Sequence, residues 1–300
     1  MSTADAAPYA HLEVHEVGAL SLVQDLGRPG RASLGVGPSG AADRGAHTLG
    51  ARLLGQDPHL ASIEVVGGLA VRSVGSITAV VTGAQCPVTV GGRPVGTGAP
   101  FLVRDAQLLR IGRPTAGLRC YLGVRGGIAV VPVLGSRSRD TLSGLGPAPL
   151  EAGDVLPVAA PVGQPGGELL VDVAPVAAPA TGPVDLDLLP GPRLDWLADP
   201  ARLTSPTWTV AADSDRVGVR LDGPALVRSG PSGAGEVPSE GIVRGAVQVP
   251  ANGLPVVFLT DHPVTGGYPV VAVLTCAACD FAAQLVPGQA VRLRMLPSHQ

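Results

Sequence analysis

The sequence predicts an all-β fold, mainly strands with a few short helices, arranged as two β-rich halves. Three observations predict it. The chain holds 42 glycines and 30 prolines among 300 residues, which is turn chemistry at high density. Between the turns lie short runs rich in β-branched residues, the pattern of strands in a sandwich or closed barrel. A small, proline-rich stretch at 174–183, Ala-Pro-Val-Ala-Ala-Pro-Ala-Thr-Gly-Pro, is semi-extended and has too little apolar bulk to build a core.

In chain order, one helix is predicted over Ala41–Leu54, which is rich in Ala, Leu and Arg and carries Leu49, Leu53 and Leu54 on one side. Gly55 is its stop signal and Pro58 follows. Strands are predicted at Ser62–Val66, Ser76–Thr82, Pro87–Val90, Gln107–Ile111, Arg119–Val124 and Leu169–Val173. Val88 to Arg93 reads as a hairpin, because Gly91-Gly92 supplies positive φ at both turn positions. Beyond the linker, strands are predicted at Arg216–Leu221, Pro255–Thr260, Pro269–Thr275 and Ala290–Met295, with helical turns near Arg193–Leu197 and Phe281–Leu285. The division is therefore 1–175 and 184–300. The pentapeptide Gly-Pro-Ser-Gly-Ala occurs at 37–41 and again at 230–234, which is compatible with an internal duplication or with chance in so glycine-rich a chain.

Composition narrows the chemistry. Hydrophobic residues make up 45% and charged residues only 15%, against roughly 25% charged in a typical domain, so part of the surface is expected to be covered by a partner. Aromatics at 3% leave few platforms for stacking bases, and a net charge of −3 argues against binding a phosphate backbone. All 21 basic residues are arginine. This excludes a P-loop lysine, a Schiff-base lysine and a biotin-attachment lysine on this chain. The N-terminal residues are short, polar and acidic, without the apolar core of a signal peptide. Four cysteines fit a reducing compartment. The expectation is a cytoplasmic protein that binds neither membrane nor nucleic acid.

Most catalytic signatures fail on context. Gly35-Val-Gly37-Pro-Ser-Gly40 matches the dinucleotide-binding pattern, but a turn-rich loop precedes it where a buried strand is required. Cys276-Ala-Ala-Cys279 has no second pair to complete a zinc site, so these cysteines read as small buried hydrophobes and no metal is expected. What remains is polar residues clustered in glycine-rich loops: Gln24, Asp25 and Arg28; Ser39, Asp43 and Arg44; Ser136, Arg137 and Ser138; Ser239 and Glu240; and Asp261 through Thr265, Gly266, Gly267 and Tyr268. Glycine lets backbone N–H groups approach a ligand, and arginine presents a planar fork to a carboxylate or phosphate. Each cluster alone would serve equally to pin a loop by ion pairs. Five together point to a site for an anionic or zwitterionic small molecule.

At these residues the chain resembles a known family. Leu22 to Arg44, Ile63-Glu64-Val-Val-Gly-Gly68, Tyr121 to Ile128 and Val133 to Asp140 match its first half. Ser214 to Pro224, Ser239 to Pro250 and Asp261-His-Pro-Val-Thr-Gly-Gly-Tyr-Pro269 match its second. The family is that of the 5-oxoprolinase C subunits and the biotin-dependent carboxyltransferases, also called allophanate hydrolase subunit 2. The resemblance implies two cyclophilin-like β-barrel subdomains, A and B. It implies partners like the B and A subunits of 5-oxoprolinase, and ATP-coupled opening of the cyclic amide 5-oxoproline to glutamate, with ATP held in the complex by this chain or a partner. Two other branches imply alternatives: carboxyl transfer from biotin on a separate carrier, or non-catalytic regulation of a kinase inhibitor. Under the first reading Asp43, Glu240 and Asp261 are acid–base or orienting candidates and Tyr268 is a hydrogen-bond donor. Arg28, Arg44 and Arg137 are candidate clamps. Gln24, Ser39, Ser136, Ser138, Ser239, Thr265, Gly266 and Gly267 line the substrate site. The chain departs from the family pattern at Val264, where threonine is more usual.

Overall fold

The computed structural model describes residues 9–161, 173–229 and 238–297. Most of the predicted run Leu169–Val173 and the second Gly-Pro-Ser-Gly-Ala, at 230–234, lie outside the described residues. The chain separates into two compact units, one formed by 1–28, 44–139 and 144–179, the other by 29–43, 140–143 and 180–300.

In the first unit the strands are β1 (Ala10–Val17), β2 (Leu20–Gln24), β3 (Ser62–Val66), β4 (Leu69–Val74), β5 (Ile77–Gln85), β6 (Val88–Val90), β7 (Arg93–Val95), β8 (Phe101–Val103), β9 (Leu108–Ile111), β10 (Ala116–Val124) and β11 (Val155–Val158). They form a six-stranded sheet, β11-β1-β4-β9-β6-β7, and a five-stranded sheet, β2-β3-β10-β5-β8. Period-2 patterning builds the core. Ala10, Leu12 and Val14 of β1 point inward, to a cluster that includes Ile63, Val81, Leu109 and Leu122. The predicted hairpin is present: Val90 pairs with Arg93, and Gly91 and Gly92 sit at φ 55° and 79°, both in the left-handed region that a side chain would strain. Helix α1 (Arg44–Leu53) lays Leu53 and the following Leu54 against Val80. It starts three residues later than the sequence suggests, because Ala42 and Asp43 form a bend that is held by Arg244, donating to the Ala42 carbonyl, and by Gln284, donating to Asp43. Cys86 and Cys120 are buried thiols with sulfurs 3.3 Å apart.

In the second unit β12 (Val184–Pro190), β13 (Thr207–Val210), β14 (Gly218–Asp222), β16 (Ala246–Gln248), β17 (Val256–Phe258), β19 (Val270–Leu274) and β20 (Ala290–Met295) form a closed barrel in the order β12-β19-β16-β17-β14-β13-β20. Parallel pairing of β12 with β20 closes it. Trp208 is fully buried at its centre, and its indole N–H donates to the Leu203 carbonyl at 3.0 Å. Two short strands, β15 (Glu240–Gly241) and β18 (Thr265–Gly266), make a separate ribbon. Helix α2 (Cys276–Ala282) is capped by Thr275, whose hydroxyl accepts from the Ala278 N–H. It begins earlier than the predicted turn at Phe281–Leu285, because this cap sits at the end of β19. The Cys-Ala-Ala-Cys run forms the first turn of α2, with Cys279 buried and Cys276 exposed. Among the described residues the two helices are the only α-helical elements, and none is long and apolar enough to cross a membrane.

Candidate functional site

Asp261 is the polar hub of the second unit. It follows the apolar strand β17, and its side chain is fully buried. Its Oδ1 accepts from the Ser39 hydroxyl at 2.7 Å and from Arg216 Nη2 at 3.2 Å. Its Oδ2 accepts from Arg216 Nε at 2.9 Å, the Thr141 N–H at 2.9 Å and the Thr141 hydroxyl at 2.7 Å. Burial pushes the carboxyl upward, but the Arg216 charge, its hydrogen bonds and those of Thr141 outweigh this and hold it below its ordinary value. Arg216, itself buried, also donates to the Gly40 carbonyl at 2.7 Å. The Thr260 hydroxyl donates to the carbonyls of Ser39 and Gly40. Segments 29–43 and 140–143 are thus fastened onto the barrel by charge-assisted bonds, the strong kind. Asp43 belongs to the same fastening: the Gln284 side-chain amide donates to its Oδ2 at 2.7 Å.

Four residues beyond the hub, the chain enters the β15–β18 ribbon, where Glu240 pairs with Gly266 and Gly241 with Thr265. The ribbon gathers a second group of polar side chains, and these are reachable from solvent. Glu240 forms an ion pair with Arg193, the side chains being 26% and 35% exposed. The Arg193 guanidinium lies over the Trp196 ring, 5.4 Å from its centroid. That of Arg228 lies over the Tyr268 ring at 6.0 Å. Beneath Tyr268, the amide of buried Gln248 donates to its backbone carbonyl at 2.8 Å. Backbone bonds tie the pieces together: Arg193 N–H to Val270 carbonyl at 3.0 Å, Ser229 N–H to Trp196 carbonyl at 2.8 Å, and a bridge between Leu197 and Arg228.

The first unit has its own polar knot. Asp25 Oδ1 accepts from the hydroxyls of Ser136 (2.7 Å) and Ser138 (2.6 Å) and from the Gly27 N–H, and Oδ2 accepts from the Arg137 N–H. Arg28 is buried and donates to the carbonyls of Val133 and Ser138. Gln24 donates to the Arg139 carbonyl and Arg137 Nε to the Val130 carbonyl. Elsewhere in this unit the buried His47 donates from Nε2 to the Pro58 carbonyl, so its Nδ1 accepts from the Ser62 hydroxyl. Burial holds its pKa below the ordinary histidine value, keeping the ring neutral. Tyr121 donates to buried Glu64, beside which lies Arg119.

The sequence-predicted residues therefore fall into three groups. Gln24, Arg28, Ser136, Arg137 and Ser138 meet around Asp25, where most of their polar atoms are engaged with one another or with backbone. Ser39 meets Asp261, and Asp43 meets Gln284. Glu240, Thr265, Gly266 and Tyr268 meet at the ribbon, flanked by the exposed Ser239 and half-buried Gly267. Arg44 opens α1 in the first unit. Reasoning from sequence misses Arg193, Trp196, Arg216, Arg228 and Gln248, which lie outside the five loop clusters. For Arg193 a signal exists, in a Gly-Pro-Arg turn at the end of a strand, of the same kind as those in the clusters. Among the described residues no group of three or more His, Cys, Asp or Glu is placed to hold a metal ion.

Comparison with known proteins places this arrangement. Residues 34–295 match the carboxyltransferase domain, subdomain A and B, family. The chain is 34% identical to the 5-oxoprolinase C subunit of Escherichia coli over 93% of its length and 89% of that protein's. It is 30% identical to urea amidolyase of Saccharomyces cerevisiae over 94% of this chain but only 16% of the yeast protein. Among solved structures, that of the protein designated TTHA0988 superposes with a TM-score of 0.85 at 32% identity, covering 96% of this chain and 56% of the other. Kluyveromyces lactis urea amidolyase superposes with a TM-score of 0.86 at 29% identity, covering 98% of this chain and 19% of the larger one. The chain thus spans only part of these larger proteins but nearly all of the Escherichia coli protein. With the all-β architecture, the second-unit barrel and a family match over most of its length, the chain belongs to the carboxyltransferase domain, subdomain A and B, family.

Proposed function

We propose that this protein is the C subunit of an ATP-dependent 5-oxoprolinase, acting with A-like and B-like subunits to open 5-oxoproline to glutamate in the cytoplasm. The observation that carries this is the match to the Escherichia coli 5-oxoprolinase C subunit, which is nearly end to end on both chains. The ribbon region of the second unit supports it, because it joins cationic, anionic and aromatic side chains at partial exposure, the equipment for holding a small polar molecule. In this reading Glu240 and Tyr268 face the substrate with Thr265, Gly266, Gly267 and Ser239. Asp261 is a positioning residue, anchoring the segment that carries Thr265 to Tyr268. Arg137, half-buried, remains a candidate clamp.

The chain's residues do not fit ATP in any familiar cradle. It has no lysine, and its Gly35–Gly40 turn follows a short 3-10 turn, Ala32–Leu34, instead of a buried strand. ATP binding is accordingly assigned to the complex. The likeness to urea amidolyases favours carboxyl transfer as a second reading, and the lack of lysine then requires biotin on a separate carrier.

The test is 5-oxoproline-dependent ADP and glutamate release by this chain mixed with its A-like and B-like partners, omitting each in turn. We expect product only from the full set. Equal turnover without this chain removes the oxoprolinase reading and brings carboxyl transfer forward.

A further inference from the structure

We propose that Arg193 and Arg228, with Glu240 and the faces of Trp196 and Tyr268, form a binding site for a small monocarboxylate that also carries an amide N–H. The ligand's identity as 5-oxoproline rests on the function proposed above; the site itself does not. Arg193 and Arg228 come from separate segments, and the Leu197–Arg228 bridge and the Ser229–Trp196 hydrogen bond tie those segments together. Each guanidinium lies against an aromatic ring, Arg193 on Trp196 and Arg228 on Tyr268. A guanidinium held this way is oriented, and its planar N–H fork matches the two oxygens of a carboxylate. Glu240 is held by ribbon pairing to Gly266 and by its ion pair with Arg193. Its carboxylate is acceptor-only and so selects an N–H donor in the ligand.

Charge supports the same class. The two guanidiniums present cationic forks of the kind that bind a carboxylate. The Arg193–Glu240 pair is about a third exposed, so its attraction is screened and the guanidinium keeps N–H donors for an entering carboxylate. The packing is firm beneath: a methyl group on Gly266 would come within 2.7 Å of the Gln248 amide nitrogen, so the ribbon strand is held close to the side chain that supports Tyr268.

The test measures 5-oxoproline binding to the full chain, alone and with its partner subunits, by calorimetry, together with KM in the assembled enzyme. Arg228→Ala and Arg193→Gln are each expected to weaken binding and raise KM by about tenfold or more, with melting temperature and partner binding retained. Arg228→Lys, which keeps the charge but loses the fork, is expected to fall between. The lactam 2-pyrrolidone, which lacks the carboxylate, is expected to bind at least about tenfold more weakly than 5-oxoproline and equally well to wild type and arginine variants. Wild-type affinity and KM in both folded arginine variants would overturn the site while leaving the oxoprolinase reading intact. Arginine-dependent binding of 5-oxoproline by a chain whose complex releases no glutamate would do the reverse, keeping the site and removing the proposed reaction.

Discussion

At the scale of single residues, the most consequential side chain is Asp261. It and Arg216 are buried together, and every described contact of its carboxylate is a hydrogen bond from a group that must itself be satisfied. Taking one partner from such a pair leaves the other charge desolvated, which costs about 3–5 kcal/mol. Asp261→Ala is therefore expected to lower stability by that amount in chemical denaturation. Adding Arg216→Met should recover part of the loss, because no orphaned charge then remains. A loss below about 1 kcal/mol for Asp261→Ala, the range of an exposed pair, would contradict the buried-hub description. The sequence shows Asp261 in a loop rich in chemistry, and it reads as an acid–base candidate. Its three partners stand 45, 120 and 222 residues away in the chain, too far for any local pattern to reveal them.

At the scale of elements, the strongest sequence signals are local and geometric. Ser62–Val66 and Ala290–Met295 are strands at the predicted bounds. The Gly91-Gly92 hairpin forms because a two-residue turn there needs positive φ twice. Strands β1 and β12 give a weaker signal: they also alternate, with His11, Glu13, Asp185 and Asp187 standing between buried or half-buried residues, but they lack the runs of β-branched residues by which the other strands are picked out. The ribbon gives none, since two residues per strand carry no periodicity and the pairing is set by surrounding packing. Its tightness is testable. Gly266→Ala forces the Gln248 amide away from the Tyr268 carbonyl, so a loss of about 1 kcal/mol is expected, the scale of one hydrogen bond. In a Gln248→Ala background the same substitution should cost much less, because the obstructing amide is gone. Equal costs in the two backgrounds, measured by thermal melts, would show that the contact is not the cause.

At the scale of the whole molecule, the second unit is not a contiguous stretch of chain. It takes 29–43 and 140–143 from within the sequence of the first half. Those segments supply Ser39, Gly40 and Thr141 to the Asp261–Arg216 hub, the Ala42 carbonyl to Arg244, and Asp43 to Gln284. A fragment of residues 180–300 would lose all of these at roughly 1–3 kcal/mol for each buried group left unpaired, a sum comparable to the whole stability of a domain, about 5–15 kcal/mol. We expect this fragment to be insoluble or to melt without cooperativity by circular dichroism, although it contains every barrel strand. A cooperative melt at the temperature of the full chain would show that the inserted segments are dispensable.

By itself the sequence determined the class of the fold, the hairpin, the main strands, the glycine-rich loops where polar chemistry collects, and, through its motifs, the family. These depend on φ preference, alternation and ordered local patterns, all written within a few residues of one another. Only the tertiary structure decided which loops meet. It bound Asp25, Arg28 and the Ser136–Ser138 run into one knot, sent Ser39 and Thr141 to Asp261, and set Arg193 and Arg228 beside Glu240 and Tyr268. The physical reason is that buried polar groups must find partners wherever the folded backbone supplies them, and those partners are selected by closure of a barrel whose strand order, β12-β19-β16-β17-β14-β13-β20, bears no simple relation to the order of the chain.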